Sequence, residues 1–457
     1  MKAHQTRTLR RTYPLRVQLA GALSLALAGG SLGSAGVAHA EQTIVVDNCN
    51  DSGPGSLREA YASALDGDTV DLTSLACSTI TLSSGPLMSA PDAGYVTLQG
   101  DSDRNLALDG GHAGRVIMHT GSRIAVNGLS VTGGVAHDAL GGGCIYSSGD
   151  VSLLDATVSD CEVSTSGSVA AKGGGIRAIG GVVLRSSRVS GNRAHADHAD
   201  ADGGGIHAQL VISAFQNTVS GNIVSGDGSH YARGGGIFAS GYVRLDDITV
   251  SGNEADGGAG VYVGYLSQFV TPNLTNVTIS GNRAGGAGGG ILANRSIRVY
   301  NSTITHNSAV FDFGAGVYLA AGDADLHSTI VANNSTGDGL QAADIGGHAG
   351  AAVTGAHNLV MASTLPLPGD TLTVDPMLEP LADNGGRVET HALRAGSPAI
   401  DAGENPRGLF TDERGYICPP IGQCVPAERT IGPATDIGAF EFGAPDRIFD
   451  DGFDPHA

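Results

Sequence analysis

The chain has no tryptophan and very little lysine, and both shortages restrict its possible functions. Aromatic residues make up 5% and charged residues 15% of its 457 positions, so long charged amphipathic helices are not expected. After residue 40 the only lysine is Lys172, and the formal net charge is −20. Nucleic acid and anionic membrane surfaces would repel such a chain, so neither is an expected partner. No later stretch reaches roughly 18 apolar residues, so we expect no membrane span in the mature chain.

The first 40 residues have the three parts of a signal peptide. Residues 17–28 are apolar, and Ala38-His39-Ala40 is a small-x-small cleavage site. The positive segment before them contains Lys2, Arg7, Arg10, Arg11 and Arg16. We therefore predict an exported protein, secreted or on the cell surface. The general secretory route is favoured, and the paired arginines leave the twin-arginine route open.

In an exported chain, six cysteines favour disulfides over metal sites. The sequence also has no Cys-x-x-Cys pattern, which argues against a redox or zinc role. Proximity predicts the pairs Cys49–Cys77, Cys144–Cys161 and Cys418–Cys424, although six cysteines allow about 15 connectivities.

Glycine, with 71 residues, is abundant and recurs in one repeated phrase. The phrase reads GGGIRAIGGVVLRSSRVSGN at 173–192, GGGIHAQLVISAFQNTVSGN at 203–222 and GGGIFASGYVRLDDITVSGN at 234–253. Looser copies extend the clear repeats over 142–334, with starts 24 to 31 residues apart. A constant core with variable spacers indicates one supersecondary unit per repeat.

Aligned copies show apolar residues at alternating positions, in three short strands per copy. One apolar column contains Ile145, Ile176, Ile206, Ile237, Val261, Ile291 and Val317. The alignment also places Ile212 and Ala214 inward. Three strands per copy predict an all-β chain, a right-handed parallel β-helix of about ten coils. An asparagine column (Asn192, Asn222, Asn253, Asn282, Asn307 and Asn334) predicts a structural ladder at a turn, because asparagine tolerates left-handed geometry.

After the signal peptide the chain divides into four parts. Residues 41–94 contain first strands and one short helix, whose capping box is Ser56 with Glu59 and which would cover the open end of the rod. We assign 95–382 to the β-helix, 383–442 to a turn-rich C-terminal cap and 443–457 to an acidic tail.

Several phrases resemble known bacterial families. The repeat is similar to the glycine-rich β-helix of polymorphic outer-membrane proteins. NGGRVETHALRAGSPAIDAG, TDERG and DIGAFEF resemble the choice-of-anchor Q domain, and GSLREA is similar to the N-terminal cap of such proteins. The resemblance implies a pectin-lyase-like solenoid, an exported or cell-surface location and no settled activity.

One outward column of the repeat is a candidate ligand surface. It contains Tyr146, Arg177, His207, Phe238, Tyr262, Leu292 and Tyr318. Stacked aromatic rings suit sugar rings or a protein partner. The alternative is that the spacers fold over this column and bury it.

The spacer after 192 gathers metal-capable side chains. They are His195, Asp197, His198, Asp200 and Asp202. Such residues could bind calcium or zinc, and the alternative is a solvated loop. Apart from this possible calcium, we expect no cofactor.

The leading hypothesis is a non-catalytic β-helical protein that presents a surface for adhesion or for contact with polysaccharide. The alternative is a polysaccharide lyase or glycoside hydrolase with an unrecognised site. The GHG and RIK phrases of polygalacturonases are absent. We assign no catalytic residue, because a fold alone does not define chemistry.

Overall fold

The computed structural model describes residues 39–91, 93–266, 270–311, 314–337, 344–417 and 424–444. The predicted signal peptide, except for its last two residues, and most of the predicted acidic tail lie outside these residues. In the described residues, no helix is both long and apolar enough to span a bilayer.

The predicted β-helix is confirmed, with about 11 turns. Its strands stack in parallel register on three faces. Face 1 contains Leu87–Met88, Ile117–His119, Ile145–Ser147, Ile176–Ala178, Val261–Val263, Ile291–Asn294, Val317–Ala321 and Ile345–Gly347. Face 2 contains Thr43–Val45, Thr69–Asp71, Tyr95–Gln99, Arg123–Asn127, Asp150–Leu154, Gly181–Arg185, Ile297–Tyr300, Ala324–His327 and Val353–Ala356.

Face 3 contains Thr79–Thr81, Leu106–Asp109, Leu129–Thr132, Thr157–Ser159, Arg188–Ser190, Asn217–Ser220, Thr303–Thr305, Ile330–Ala332 and Leu359–Val360. Three longer strands continue from one face to the next: Ile206–Ala214, Ile237–Ser251 and Asn273–Ser280. The inward side chains of the three faces form one continuous core.

In one copy of the repeat, the alignment predicts the wrong inward residues on face 2. Val211 and Ser213 point inward, with Val211 opposite Val182, whereas Ile212 is partly exposed. This copy has one residue fewer between faces 1 and 2 than the copy before it. The alternation in Val-Ile-Ser-Ala cannot reveal the slip, because either pair is small or apolar.

Within the described residues the chain forms one helix, Leu57–Ser63, with Ser56 as the predicted N-cap, whereas Glu59 reaches back to Gly55 instead of to Ser56. Ser56 Oγ accepts from the Glu59 amide at 3.3 Å, and Glu59 Oε2 accepts from the Gly55 amide at 2.8 Å. The helix buries Leu57 and Tyr61 in the same core as the first strands.

The spacers form strands rather than loops. An outer eight-stranded parallel sheet follows face 3: Val135–Ala136, Glu162–Thr165, Arg193–Ala196, Ile223–Gly226, Glu254–Ala255, Arg283–Ala284, Ser308–Ala309 and Ser335–Thr336. A smaller sheet contains Ala171–Lys172, Ala201–Asp202 and Ala232–Arg233. Small side chains, mostly alanine, fill the core between these sheets. The GGG phrase allows this packing, since a Cβ on Gly174 would lie 2.3 Å from the Arg193 carbonyl oxygen.

The asparagine ladder is confirmed, but its turn geometry differs from the prediction. Asn222 Nδ2 donates to Asn253 Oδ1 at 2.9 Å, and the same bond joins neighbouring coils from Asn192 to Asn334. The left-handed conformation belongs to the residue before each asparagine, such as Gly191 with φ 66°. Each asparagine instead satisfies the backbone at a buried corner, since Asn253 Nδ2 also donates to the Val219 carbonyl oxygen at 3.1 Å.

Replacing Asn253 with alanine should lower the free energy of unfolding by about 2 kcal/mol, because buried amide and carbonyl groups on two coils lose their partners. Denaturant unfolding would measure the change, with Asn273→Ala as a matched control. Asn273 is half-buried and donates one hydrogen bond, to Thr275 Oγ1 at 2.9 Å. Equal destabilisation by the two variants would contradict a special role for the ladder.

Two predicted disulfides, Cys49–Cys77 and Cys144–Cys161, are confirmed. Cys424 is also disulfide-bonded, and its predicted partner Cys418 lies outside the described residues.

The C-terminal region turns back along face 3 instead of closing the end of the rod. It contains two antiparallel ribbons, Leu378–Ala382 with Thr390–Leu393 and Thr411–Ile417 with Val425–Glu428. Its buried apolar residues, among them Leu378, Leu393, Ile437 and Phe440, share a cluster with Ile330, Ala332 and Leu359 of face 3. Leu365 and Leu367, after the last coil, pack against the main core.

Candidate functional site

The outward column forms on face 1 in the predicted register, with Tyr146 opposite Arg177 and Phe238 between His207 and Tyr262. Most of it is covered. Tyr146, His207, Phe238 and Tyr262 are each no more than 8% exposed. The rings of His207 and Phe238 stack at 4.6 Å, and those of Phe238 and Tyr262 at 4.7 Å.

Arg233, from the three-stranded sheet, lies over this stack. Its guanidinium is 5.4 Å from the ring centre of Phe238 and 5.5 Å from that of Tyr262. Arg233 Nε donates to Asp202 Oδ1 at 2.8 Å, and Nη2 to Asp200 Oδ2 at 3.0 Å. Spacer residues therefore fold over the middle of the column and bury it, which is the second interpretation that the sequence allows. The ligand-binding role of the column stays a prediction, and its partly exposed members are Arg177, Leu292 and Tyr318.

Burial disfavours the charged form of His207. Burial first, and the neighbouring Arg177 second, hold the pKa of His207 well below its ordinary value. Nδ1 of the neutral ring can then accept the hydrogen bond from Arg177 Nη1. Arg177 and His207, on adjacent coils, are therefore partners of each other.

The five candidate metal ligands do not converge. His195 Nε2 contacts Asp197 at 3.0 Å, and His198 Nδ1 contacts Asp227 at 2.9 Å. Asp200 and Asp202 pair with Arg233. In the part of the chain that the structure describes, no group of three or more His, Cys, Asp or Glu side chains is placed to hold a metal ion.

A polar groove of about 430 Å³ lies where face 2 turns into face 3. Three consecutive coils contribute corner residues with positive φ, Asp155, Ser186 and Gln216. The next outward positions of the same coils are occupied by Thr157, Arg188 and Thr218.

Arg387 of the C-terminal region also lines this groove. Arg387 Nη1 is 2.9 Å from Asp155 Oδ1, although the two residues are 232 positions apart in sequence. Gln216 Nε2 donates to the Arg414 carbonyl oxygen. Sequence reasoning missed this groove, because only the folded C-terminal region brings Arg387 to the rod. The polar outward positions in the TVSGN and RVSGN phrases were the available signal.

A second cavity, of about 570 Å³, lies further along face 3. Its polar lining includes Ser280, His306, His391 and Arg394, and its apolar lining includes Leu378 and Leu381. His391 Nε2 is 2.8 Å from Ser280 Oγ, and Nδ1 is 2.7 Å from the Glu379 carbonyl oxygen. The sequence contained no signal for this pair, since Ser280 and His391 lie 111 positions apart.

The TDERG and DIGAFEF phrases stabilise the C-terminal region internally, and Glu413 joins this region to the rod. Asp412 and Arg414 form an ion pair at 2.7 Å with both side chains 0% exposed. The Arg414 guanidinium also lies 3.9 Å from the ring centre of Phe440. Glu413 is fully buried and accepts hydrogen bonds from the Thr278 amide, at 3.1 Å, and the Thr278 hydroxyl. These charged residues therefore have a packing role.

Comparison with known proteins does not assign a family. No family model matches the chain, and no curated protein sequence matches it. Among solved structures, the crystal structure of pectate lyase Pel9A is similar, with a TM-score of 0.47 and 13% sequence identity over 89% of this chain and 97% of that chain. A likeness at this level supports no statement about activity, and the fold assignment rests on the strand register.

Proposed function

We propose that this chain is an exported β-helical protein that binds a linear polysaccharide in the polar groove between faces 2 and 3. The observation that carries the proposal is the arrangement of this groove, in which three consecutive coils present the same two outward positions. Successive coils lie about 4.8 Å apart. A surface that repeats its polar groups along one axis suits a ligand whose units also repeat.

The chemistry of the lining supports a sugar ligand. Thr157 and Thr218 offer hydroxyl groups, Asp155 a carboxylate, Gln216 an amide and Arg188 a guanidinium. Together they provide both donors and acceptors for sugar hydroxyls. The formal net charge of −20 disfavours polyuronates, so we propose a neutral polysaccharide.

Export and surface location belong to the same proposal. Two disulfides fit an oxidising compartment outside the cytoplasm. The N-terminal signal-like segment and the resemblance to the choice-of-anchor Q and polymorphic outer-membrane families support it as well. A lyase or hydrolase activity stays a prediction from the sequence.

Replacing Arg188 with alanine should weaken binding of a neutral polysaccharide at least ~10-fold, or about 1.4 kcal/mol, because its guanidinium lines the groove. Arg193→Ala is the matched control. Arg193 belongs to the same coil but lies in the eight-stranded sheet, where it donates to Ser225 Oγ at 3.1 Å. Affinity electrophoresis against a panel of polysaccharides would measure binding, and a reducing-end assay would detect any product.

The outcomes of this experiment separate the hypotheses. Saturable binding that Arg188→Ala weakens and Arg193→Ala preserves supports the groove. Binding that is lost only in Tyr318→Ser would move the site to the outward column. Product release would establish an enzyme, and no binding to any member of the panel would contradict the proposal.

A further inference from the structure

We propose that the cavity between face 3 and the ribbon of Leu378–Ala382 with Thr390–Leu393 is an ester-hydrolysing site, with Ser280 as nucleophile and His391 as general base. This inference goes beyond the proposed polysaccharide binding. It uses a different cavity on different coils and does not depend on the groove.

The hydrogen bonds of His391 fix the tautomer that a general base requires. Its Nδ1 lies 2.7 Å from the Glu379 carbonyl oxygen, which can only accept, so Nδ1 carries the proton. Nε2 is then unprotonated and faces Ser280 Oγ at 2.8 Å. Ser280 therefore donates its hydroxyl proton to Nε2. A nucleophile within hydrogen-bond reach of a base, with the base oriented by a third group, is the arrangement of nucleophilic catalysis.

This arrangement is specific to one coil. Ser280 occupies the last position of its strand, and Ser220, Ser251 and Thr305 occupy the same position on other coils. The repeat therefore explains why a hydroxyl is present, but not why His391 contacts the one on Ser280. The ribbon of the C-terminal region, which is not part of the repeat, delivers the imidazole to this coil.

The surroundings of His391 keep its imidazole neutral. Burial lowers the pKa of His391 to about 4, although the bond to Glu379 acts in the opposite direction, and the nearby His306 lowers it further. The rings of His306 and His391 stack at 5.2 Å. Arg394 also lines the cavity, and its guanidinium is paired with Glu379 Oε1 at 2.9 Å. Glu379 therefore offsets part of the positive charge of Arg394, whereas the described lining of the cavity itself contains no carboxylate.

The walls indicate the substrate class. Leu378, Pro380 and Leu381 form an apolar side, whereas Arg394 and His306 form a polar side. An ester with a short acyl group would place its hydrocarbon part against the apolar side. The N–H groups of Arg394 that do not bind Glu379 can donate to the oxygen that develops negative charge in the cavity.

The reaction that this geometry permits is acyl transfer to water. Ser280 Oγ attacks the ester carbonyl carbon while His391 Nε2 takes the hydroxyl proton. The bond from carbon to the alkoxy oxygen then breaks, and Nε2–H gives its proton to the leaving alcohol. Water, deprotonated by Nε2, releases the acid from Ser280 by the same steps. One ester and one water become one acid and one alcohol.

The test uses the full exported chain and two probes, a fluorophosphonate and p-nitrophenyl acetate. We expect the fluorophosphonate to modify Ser280, as identified by peptide mass spectrometry. Ser280→Ala and His391→Gln should each reduce kcat/KM for the acetate at least ~100-fold. Ser220→Ala, the same change two coils away and outside the cavity lining, should retain the wild-type value.

The pH profile provides a readout that a structural role would not produce. Because Nε2 must be unprotonated, the rate should fall only when the pH drops towards about 4, the pKa of His391. Hydrogen exchange of Thr390–Leu393 would verify that each variant keeps the ribbon in place. Modification of another residue, or acetate hydrolysis that survives in both Ser280→Ala and His391→Gln, would overturn the proposal. So would the absence of modification and turnover in the wild type.

Discussion

Replacing Arg414 with methionine should destabilise the C-terminal region by about 3–5 kcal/mol. Arg414 and Asp412 are both 0% exposed and lie 2.7 Å apart. Arg414 Nη2 also donates to the Glu441 carbonyl oxygen at 3.0 Å. Methionine fills similar space, but it leaves the Asp412 carboxylate buried without its positive partner. The loss of stability is large because the Asp412 carboxylate stays buried and cannot be hydrated.

Native-state hydrogen exchange of Thr411–Ile417 would measure this change locally. Arg298→Ala is the control, because Arg298 pairs with Asp325 at 3.8 Å on the surface, with side chains 53% and 36% exposed. Exposed pairs of this kind contribute up to about 1 kcal/mol. In the double variant Asp412→Asn with Arg414→Met, neutralising the carboxylate should recover part of the loss. Equal effects of Arg414→Met and Arg298→Ala would contradict the argument.

The C-terminal region should also be more stable at pH 5 than at pH 8, by up to about 3 kcal/mol from Glu441 alone. Burial raises the pKa of Glu441 to about 7, from an ordinary value of 4.5. Between these values the folded state keeps a proton that the unfolded state releases. The stabilisation is therefore fully present below pH 4.5 and is lost as the pH rises through about 7.

Other carboxyl groups, buried where the C-terminal region packs on the rod, also make the folded state more stable at low pH. Burial raises the pKa of Asp247 to about 7 and holds that of Glu413 well above its ordinary value. Hydrogen exchange of Val425–Glu428 at several pH values would measure the trend. Glu441→Gln should make it shallower, whereas Glu428→Gln, at an exposed position, should leave it unchanged. A stability that rises between pH 5 and pH 8 would contradict the assignment.

The sequence by itself determined the architecture of the rod. The repeated phrase specified three strands per coil, the inward columns from Ile145 to Val317 and the ladder from Asn192 to Asn334. These features depend on side-chain alternation and on contacts between equivalent positions of neighbouring copies, and both are visible in an alignment. The alignment failed at Val211 and Ser213, where the alternating residues were similar on both sides of the strand.

Only the tertiary structure decided which surfaces remain open. The spacers form sheets in the folded chain, and Arg233 of the three-stranded sheet lies over Phe238 and Tyr262. The middle of the predicted ligand column is therefore covered. The C-terminal region turns back along face 3, and Arg387 therefore contacts Asp155 while His391 contacts Ser280. Such contacts join residues from the repeat to residues outside it. No periodic pattern relates them, because their proximity depends on how two separately patterned segments pack.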